Sequence, residues 1–127
     1  WFARGGEIAI QDGTFNYEYS GSNNIDEVGW YKDNSASKPH DVGTKKPNQL
    51  GIYDCTGNLR EWCYDTASSG YVSEKLAYIY DTSVRDSKLR GGAWNCYDDW
   101  CFINDNSDSA DGKYGYGNIG FRIVRTI

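Results

Sequence analysis

The sequence predicts an α+β domain, rich in loops and poor in regular secondary structure. Three observations predict it. Helical periodicity is scarce: Glu74 to Tyr80 is the best helical window, and its Leu76, Ala77 and Ile79 do not sustain an i, i+3, i+4 stripe. Strand-like pieces are short. Glycine is frequent, at 15 of 127 residues, proline is rare, at 2, and aromatic residues make up 16% of the chain. That combination calls for many turns between elements pinned by large rings.

In chain order, Gly51 to Tyr53 and Leu59 to Trp62 read as strand pieces separated by a turn at Thr56-Gly57-Asn58. The run from Gly120 to Ile127 alternates apolar and polar residues over most of its length, as a half-buried strand does. Polar loops fill the intervals Asp12 to Asn24, Lys32 to Lys46, Thr66 to Ser73 and Asn104 to Asn118. Loops of this length in a compact domain are usually functional or fold-defining, so buried aromatics and ions or disulfides are expected to pin them. The chain shows no internal repeat and no domain boundary.

Composition removes several function classes. The formal charge is −5, the pI is near 4.7 and the mean hydropathy is −0.73. No run is long and apolar enough to span a bilayer, and the acidic balance argues against a nucleic-acid partner, which normally meets a basic face. The aromatic content argues against disorder. The chain opens at Trp1 and contains no methionine, so the expectation is a piece of a longer product whose missing N-terminus could carry a signal peptide or a membrane anchor. Four cysteines (Cys55, Cys63, Cys96, Cys101) form an even count compatible with disulfides in an oxidising compartment. There is no CxxC pair and one histidine, His40, so zinc is poorly served.

Three segments carry a resemblance. Trp1-Phe2-Ala3-Arg4-Gly5-Gly6 is similar to the end of an "EWEYAARGG" motif. Gly51-Ile52-Tyr53-Asp54-Cys55-Thr56-Gly57-Asn58-Leu59-Arg60-Glu61-Trp62-Cys63 is similar to "GLYDMxGNVWEWC". Arg90-Gly91-Gly92-Ala93-Trp94 followed by Asn118-Ile119-Gly120-Phe121-Arg122 is similar to "RGGSW … NIGFR". In this order they resemble the formylglycine-generating-enzyme (sulfatase-modifying factor) family, over essentially the whole chain. The resemblance implies a C-type-lectin fold, of which residues 1–127 are the C-terminal half, partnered by its own N-terminal half.

Within the central motif, Asp54 and Glu61 supply hard oxygen ligands and the turn at Gly57 frees carbonyls, a combination that suits calcium. The resemblance implies a structural calcium ion held by Asp54 and Glu61 and completed by the carbonyls of Gly57 and Leu59. Asn24 and Ile25 mark a second such site by resemblance alone. The competing reading has Asp54 capping the turn and Glu61 paired with Arg60 or Arg90. Trp62 and Trp94 read as core aromatics, and His40, in a segment similar to an ordinary family loop, as structural.

Two functions compete. The family's enzymes oxidise a sulfatase cysteine using two cysteines four residues apart and copper(I). Cys96 and Cys101 have that spacing in the matching place, and copper(I) prefers soft thiolates. Against this, no arginine lies between Arg90 and Arg122, where the enzymes carry several. The second pattern is compositional. Residues 95–118 consist of types reachable from an asparagine AAY codon by replacing its adenines, except Trp100 and Lys113. Confined between the two family motifs, this stretch resembles the variable region of retroelement-diversified proteins, such as the variable-protein family of Treponema. Loops favour Asn, Asp, Gly and Ser for turn reasons alone, which is the competing explanation.

On the diversified reading, Tyr97, Phe102, Tyr114 and Tyr116 anchor a ligand, while Asn95, Cys96, Asp98, Asp99, Asn104 and Asp105 provide adaptable contacts, as antibody loops do. Cys96 either arises by diversification or pairs with Cys101. Asp108 and Asp111 read as a solvated loop face. The function expected is non-catalytic binding of a variable protein or glycan ligand at an extracellular or bacterial cell-surface location. Copper enters only with the oxidase alternative.

Overall fold

The computed structural model describes residues 1–66 and 86–123. The expected helical window at Glu74 to Tyr80 and the end of the C-terminal run lie outside these residues. The architecture is α+β. Two short helices, α1 (Gly6–Gln11) and α2 (Ile25–Val28), precede a pair of strands, β1 (Gly29–Trp30) and β2 (Thr56–Gly57). Then come β3 (Arg60–Thr66), β4 (Asp86–Arg90), β5 (Ser109–Asp111) and β6 (Ile119–Gly120). Single 3₁₀ turns occupy Phe2–Arg4 and Asp98–Cys101.

Neither helix is long enough to display a hydrophobic stripe, so periodicity missed both. Their ends are nevertheless written in the chain. Asn24 caps α2, its Oδ1 accepting from Asp26 N at 3.1 Å, and Asp26 and Glu27 fill the first turn where the helix dipole favours acids. Asp12 closes the end of α1 by accepting from both the amide and the hydroxyl of Thr14.

Strand β1 runs parallel to β2, pairing Gly29 with Thr56 and Trp30 with Gly57. The other four strands form a sheet of order β5-β4-β3-β6. In it β3 lies antiparallel to β4, with Glu61 opposite Arg90, and parallel to β6, with Glu61 opposite Gly120. Two strand expectations need correction. Gly51 to Tyr53 forms no strand: the Asn48 Oδ1 accepts from the amides of Leu50 and Ile52, folding the segment into a turn with Gly51 at φ +72°. Among the described residues of the C-terminal run, Gly120 joins a strand, with Ile119, and Phe121 to Ile123 lie outside it. Conversely, Thr56-Gly57 pairs as a strand. Gly57 is required there, since at φ +69° a Cβ would collide with the Trp30 carbonyl.

The apolar core is small: Tyr19, Ile25, Val28, Ala93, Cys96 and Cys101, with Tyr31 and Phe102 packed against it. Trp62 and Trp94 are only half-buried. Rings pin some of the long loops, as expected, with Phe102 on Tyr19 and His40 on Trp30, and buried polar side chains hold others. Asn58, 4% exposed, accepts from His40 N at 2.9 Å and donates to His40 O at 3.0 Å. Its own amide donates to Trp30 O, and its carbonyl accepts from Trp94 N. Asn48 donates to Phe2 O and to the Ser20 hydroxyl, and Thr56 Oγ1 accepts from Ser20 N. His40 is structural: its ring stacks on Trp30 at 3.8 Å and 12°.

Asn58→Ala should therefore strand the amide and carbonyl of His40 and place Ala at φ +63°. The expected cost is about 2–4 kcal/mol in a denaturant titration. A loss below half a kcal/mol would remove Asn58 as the pin.

Candidate binding surface

The stretch from Asn95 to Asn118 is closed at its ends. Trp94 is fixed by Asn58 through its amide and by the Ser35 hydroxyl through its carbonyl, at 2.7 Å. Its indole Nε1 points to Gly117 O at 3.4 Å, Asn118 Nδ2 donates to Asn95 Oδ1 at 3.1 Å, and Arg60 N donates to Asn118 O at 3.0 Å. Gly92, at φ +69°, lets the chain turn tightly there, and a Cβ at that position would collide with Cys101 Sγ.

Between its ends the stretch is gripped chiefly by its own main chain. Lys32 N donates to Cys96 O, Ile103 N to Glu18 O and Leu89 N to Asp108 O, at 2.8 to 3.1 Å. Lys88 Nζ reaches Asn106 O at 2.8 Å, Arg90 donates to Asp105 O, and β5 pairs with β4 through Ser87 and Ala110.

The side chains then divide. Tyr97 (57% exposed), Trp100 (50%), Tyr114 (65%) and Tyr116 stand out to solvent, and Asn95, Asp98, Asp99 and Asn104 are exposed with them. Three expected contact residues do not stand so. Cys96 is 4% exposed because its thiol belongs to the apolar core. Phe102 packs its ring against Tyr19, with centroids 5.4 Å apart, so it anchors the loop inward. Asp105 is half-buried and accepts from the amide and hydroxyl of Ser107, closing a turn.

Two residues escaped the sequence reading. Trp100 was an exception to the codon pattern, yet the 3₁₀ turn between the two cysteines presents it outward. Arg60 was weighed only as a partner for Glu61. It pairs with Asp108 and sets its guanidinium over the Trp100 ring, 6.0 Å from the centroid. Asp108, expected in a solvated loop face, is thereby tied to β3.

Cys96 and Cys101 both carry free thiols, as does Cys55. Burial pushes the Cys101 thiol up to about 12 and raises that of Cys96, and the Arg60 guanidinium opposes both shifts only in part. Two thiols in one cluster offer copper(I) suitable soft donors. Burial favours their neutral form, so loading a metal there has to expel protons from a low-dielectric site.

Asp54 and Glu61 line one cleft with Tyr53, Leu59 and Phe121. The partner of Glu61 is Arg122 rather than Arg60 or Arg90: Nε donates to both carboxylate oxygens at 3.0 Å and Nη2 to one at 2.6 Å. Asp54, at φ +57°, accepts from Gly43 N at 2.7 Å. These hard oxygens match calcium in donor type. Among the described residues no three acidic, histidine or cysteine side chains converge, so main-chain carbonyls such as those of Gly57 and Leu59 would have to complete a shell. Asn24 spends its side-chain oxygen on capping α2.

The sulfatase-modifying factor enzyme 1-like domain matches residues 3–127. The chain is 35% identical over 132 residues to the chaperone protein LppX of Paenibacillus barcinonensis, covering 87% of this chain and 42% of LppX. Treponema denticola variable protein 1 superposes with a TM-score of 0.73 at 30% identity, covering 95% of this chain and 42% of that one. The crystal structure of CarF gives a TM-score of 0.77 at 26% identity, covering 99% of this chain and 43% of CarF. The chain thus spans less than half the length of these relatives. The expected fold, the C-type-lectin fold of the formylglycine-generating-enzyme type, holds.

A thiol held near 12 in the fold and near 9 when unfolded keeps its proton better in the native state. The contribution is full below pH 9 and disappears as pH rises towards 12, so midpoints of urea unfolding should fall across that window. Cys101→Ser should flatten the fall. A midpoint independent of pH between 9 and 11 would place Cys101 in a far more exposed setting.

Proposed function

The chain belongs to the sulfatase-modifying factor enzyme 1-like family, and we propose that within it this is a retroelement-diversified binding protein displaying residues 95–118 to a ligand. The observation that carries the reading is the way this stretch is held. The scaffold grips it largely through its carbonyls and amides, which every sequence presents, while Tyr97, Asp98, Asp99, Asn104, Tyr114 and Tyr116 point outward. These outward side chains can change without loosening the fold, while Cys96, Cys101 and Phe102 stay in the core. The similarity to Treponema denticola variable protein 1 supports the same reading. The ligand is a protein or glycan met at the bacterial surface or outside the cell, with anchoring supplied by an N-terminal segment. The N-terminal half of the domain covers apolar side chains such as Ile8 and Ile10, which are exposed in this chain.

A calcium ion held by Asp54 and Glu61, with the carbonyls of Gly57 and Leu59, would stiffen the turn ahead of β3, and the two carboxylates on one cleft support it. Adding calcium should raise Tm by several degrees, EGTA should reverse the rise, and Asp54→Ala should abolish the response. A Tm indifferent to calcium counts against the site.

The decisive experiment for the function is the sequence of the surrounding DNA. A nearby near-copy of the segment encoding residues 95–118, differing only where the copy has adenine, is expected. Its absence overturns the diversified reading. On the protein, Tyr114→Ala or Tyr116→Ala should abolish ligand binding and leave Tm within about two degrees, because exposed side chains contribute little to stability.

One observation favours a second reading. Cys96 and Cys101 keep free thiols in a single cluster, as a copper-dependent oxidase of sulfatase cysteines requires. Copper-dependent turnover of a sulfatase-type peptide that vanishes in Cys101→Ala would establish it, and turnover surviving in that variant would dismiss it.

A further inference from the structure

We infer that the displayed surface selects a cationic protein segment, one presenting lysine or arginine side chains, over anionic or neutral ligands; this rests on the binding reading above. Charge supplies the first argument. Residues 95–118 contain five aspartates and one lysine, so four of the chain's five net negative charges fall in this stretch. Asp108 is spent on Arg60, and Asp105 and Asp111 accept from local backbone amides. Asp98 and Asp99 are the exposed pair beside Tyr97 and Trp100, Asp98 accepting from the Asp99 amide through one oxygen. Asp26, Asp33 and Asp98 all act on the phenol of Tyr31, which burial raises first and these carboxylates raise further. A sulfated or phosphorylated ligand would meet this field with repulsion.

The rings supply the second argument. Cations already sit on two of them: Lys32 Nζ lies 3.7 Å from the Tyr97 centroid and the Arg60 guanidinium covers Trp100. The faces are therefore oriented to receive positive charge, and an exposed ring bounded by carboxylates is the setting in which a lysine or arginine side chain gains both contacts. Lys32 and Lys113 oppose this negative charge, as do Lys88, Arg60 and Arg90, which are already engaged with Asn106 O, Asp108 and Asp105 O. Lys32 acts as an internal occupant that an incoming cation must displace or share with. Tyr114 and Tyr116 add exposed aromatic area at the far end of the stretch, which the Asn95–Asn118 hydrogen bond ties to its start.

The test uses the full-length protein and three immobilised probes: a short arginine-glycine peptide, heparin, and a serine-glycine peptide. The arginine peptide should bind, and binding should weaken with salt. Asp98→Asn with Asp99→Asn should lower its affinity by about fivefold or more. Lys32→Ala should raise it by about two- to fivefold by freeing the Tyr97 face, an effect that loss of a merely structural lysine would not produce. Melting curves on each variant exclude misfolding. Absence of arginine-peptide binding, or insensitivity to Asp98 and Asp99, overturns the inference. Heparin binding that depends on Tyr116 also overturns it while leaving the displayed surface intact as a binder. Binding of no probe together with no adenine-marked copy in the DNA removes both.

Discussion

Everything described above is arranged around one buried amide. Asn58 sits at a left-handed turn between β2 and β3 and satisfies four backbone groups: both polar groups of His40, the carbonyl of Trp30 and the amide of Trp94. Those groups belong to three segments with no regular structure in common. Where the main apolar cluster of the described residues is this small, burial alone would not fix their relative positions, since the hydrophobic effect is non-directional. A hydrogen-bonded amide is directional, and leaving it unpaired in the interior is costly. The small core supplies cohesion and the amides supply geometry.

This explains which parts of the molecule could be read from the chain. The α+β class and the start of β3, expected over Leu59 to Trp62, were legible from local chemistry, whereas the expected turn at Thr56-Gly57-Asn58 is in part strand β2, with Gly57 and Asn58 at positive φ. The helices α1 and α2 were not, because six and four residues carry no stripe. Gly51 to Tyr53 looked like a strand because Ile52 and Tyr53 favour one, and the side chain of Asn48 overrode that preference with two hydrogen bonds. Polar pins of this kind are invisible to pattern reading, since an asparagine in a loop looks the same whether its partners are water or a backbone far along the chain.

The surface was legible in outline and mixed in detail. The boundaries at Trp94 and Asn118 coincide with real closures, and the exposed tyrosines are where composition put them. Cys96 and Phe102 were misassigned because their neighbours in sequence point outward while they point in, and only packing distinguishes them. Trp100 and Arg60 were missed because their roles arise from each other. An arginine that spans from a strand to an aspartate and a tryptophan on another loop has no signature in either segment alone.

The pairing of β5 with β4 reaches beyond binding. It fixes Asp111, Ala110 and Ser109 opposite Asp86, Ser87 and Lys88, and the Asn95–Asn118 clasp fixes the two ends. Outward side chains between these points can be exchanged, while Cys96, Cys101, Phe102 and Asp108 are held by the core, Tyr19 and Arg60, and adding or deleting a residue would slip the ladder or open the clasp. A lineage that varied this surface would therefore be confined to rewriting a text of constant length. Its repertoire grows by spelling, in contrast to receptors that gain reach by lengthening their loops, and the size of pocket it can ever build is set by the frame.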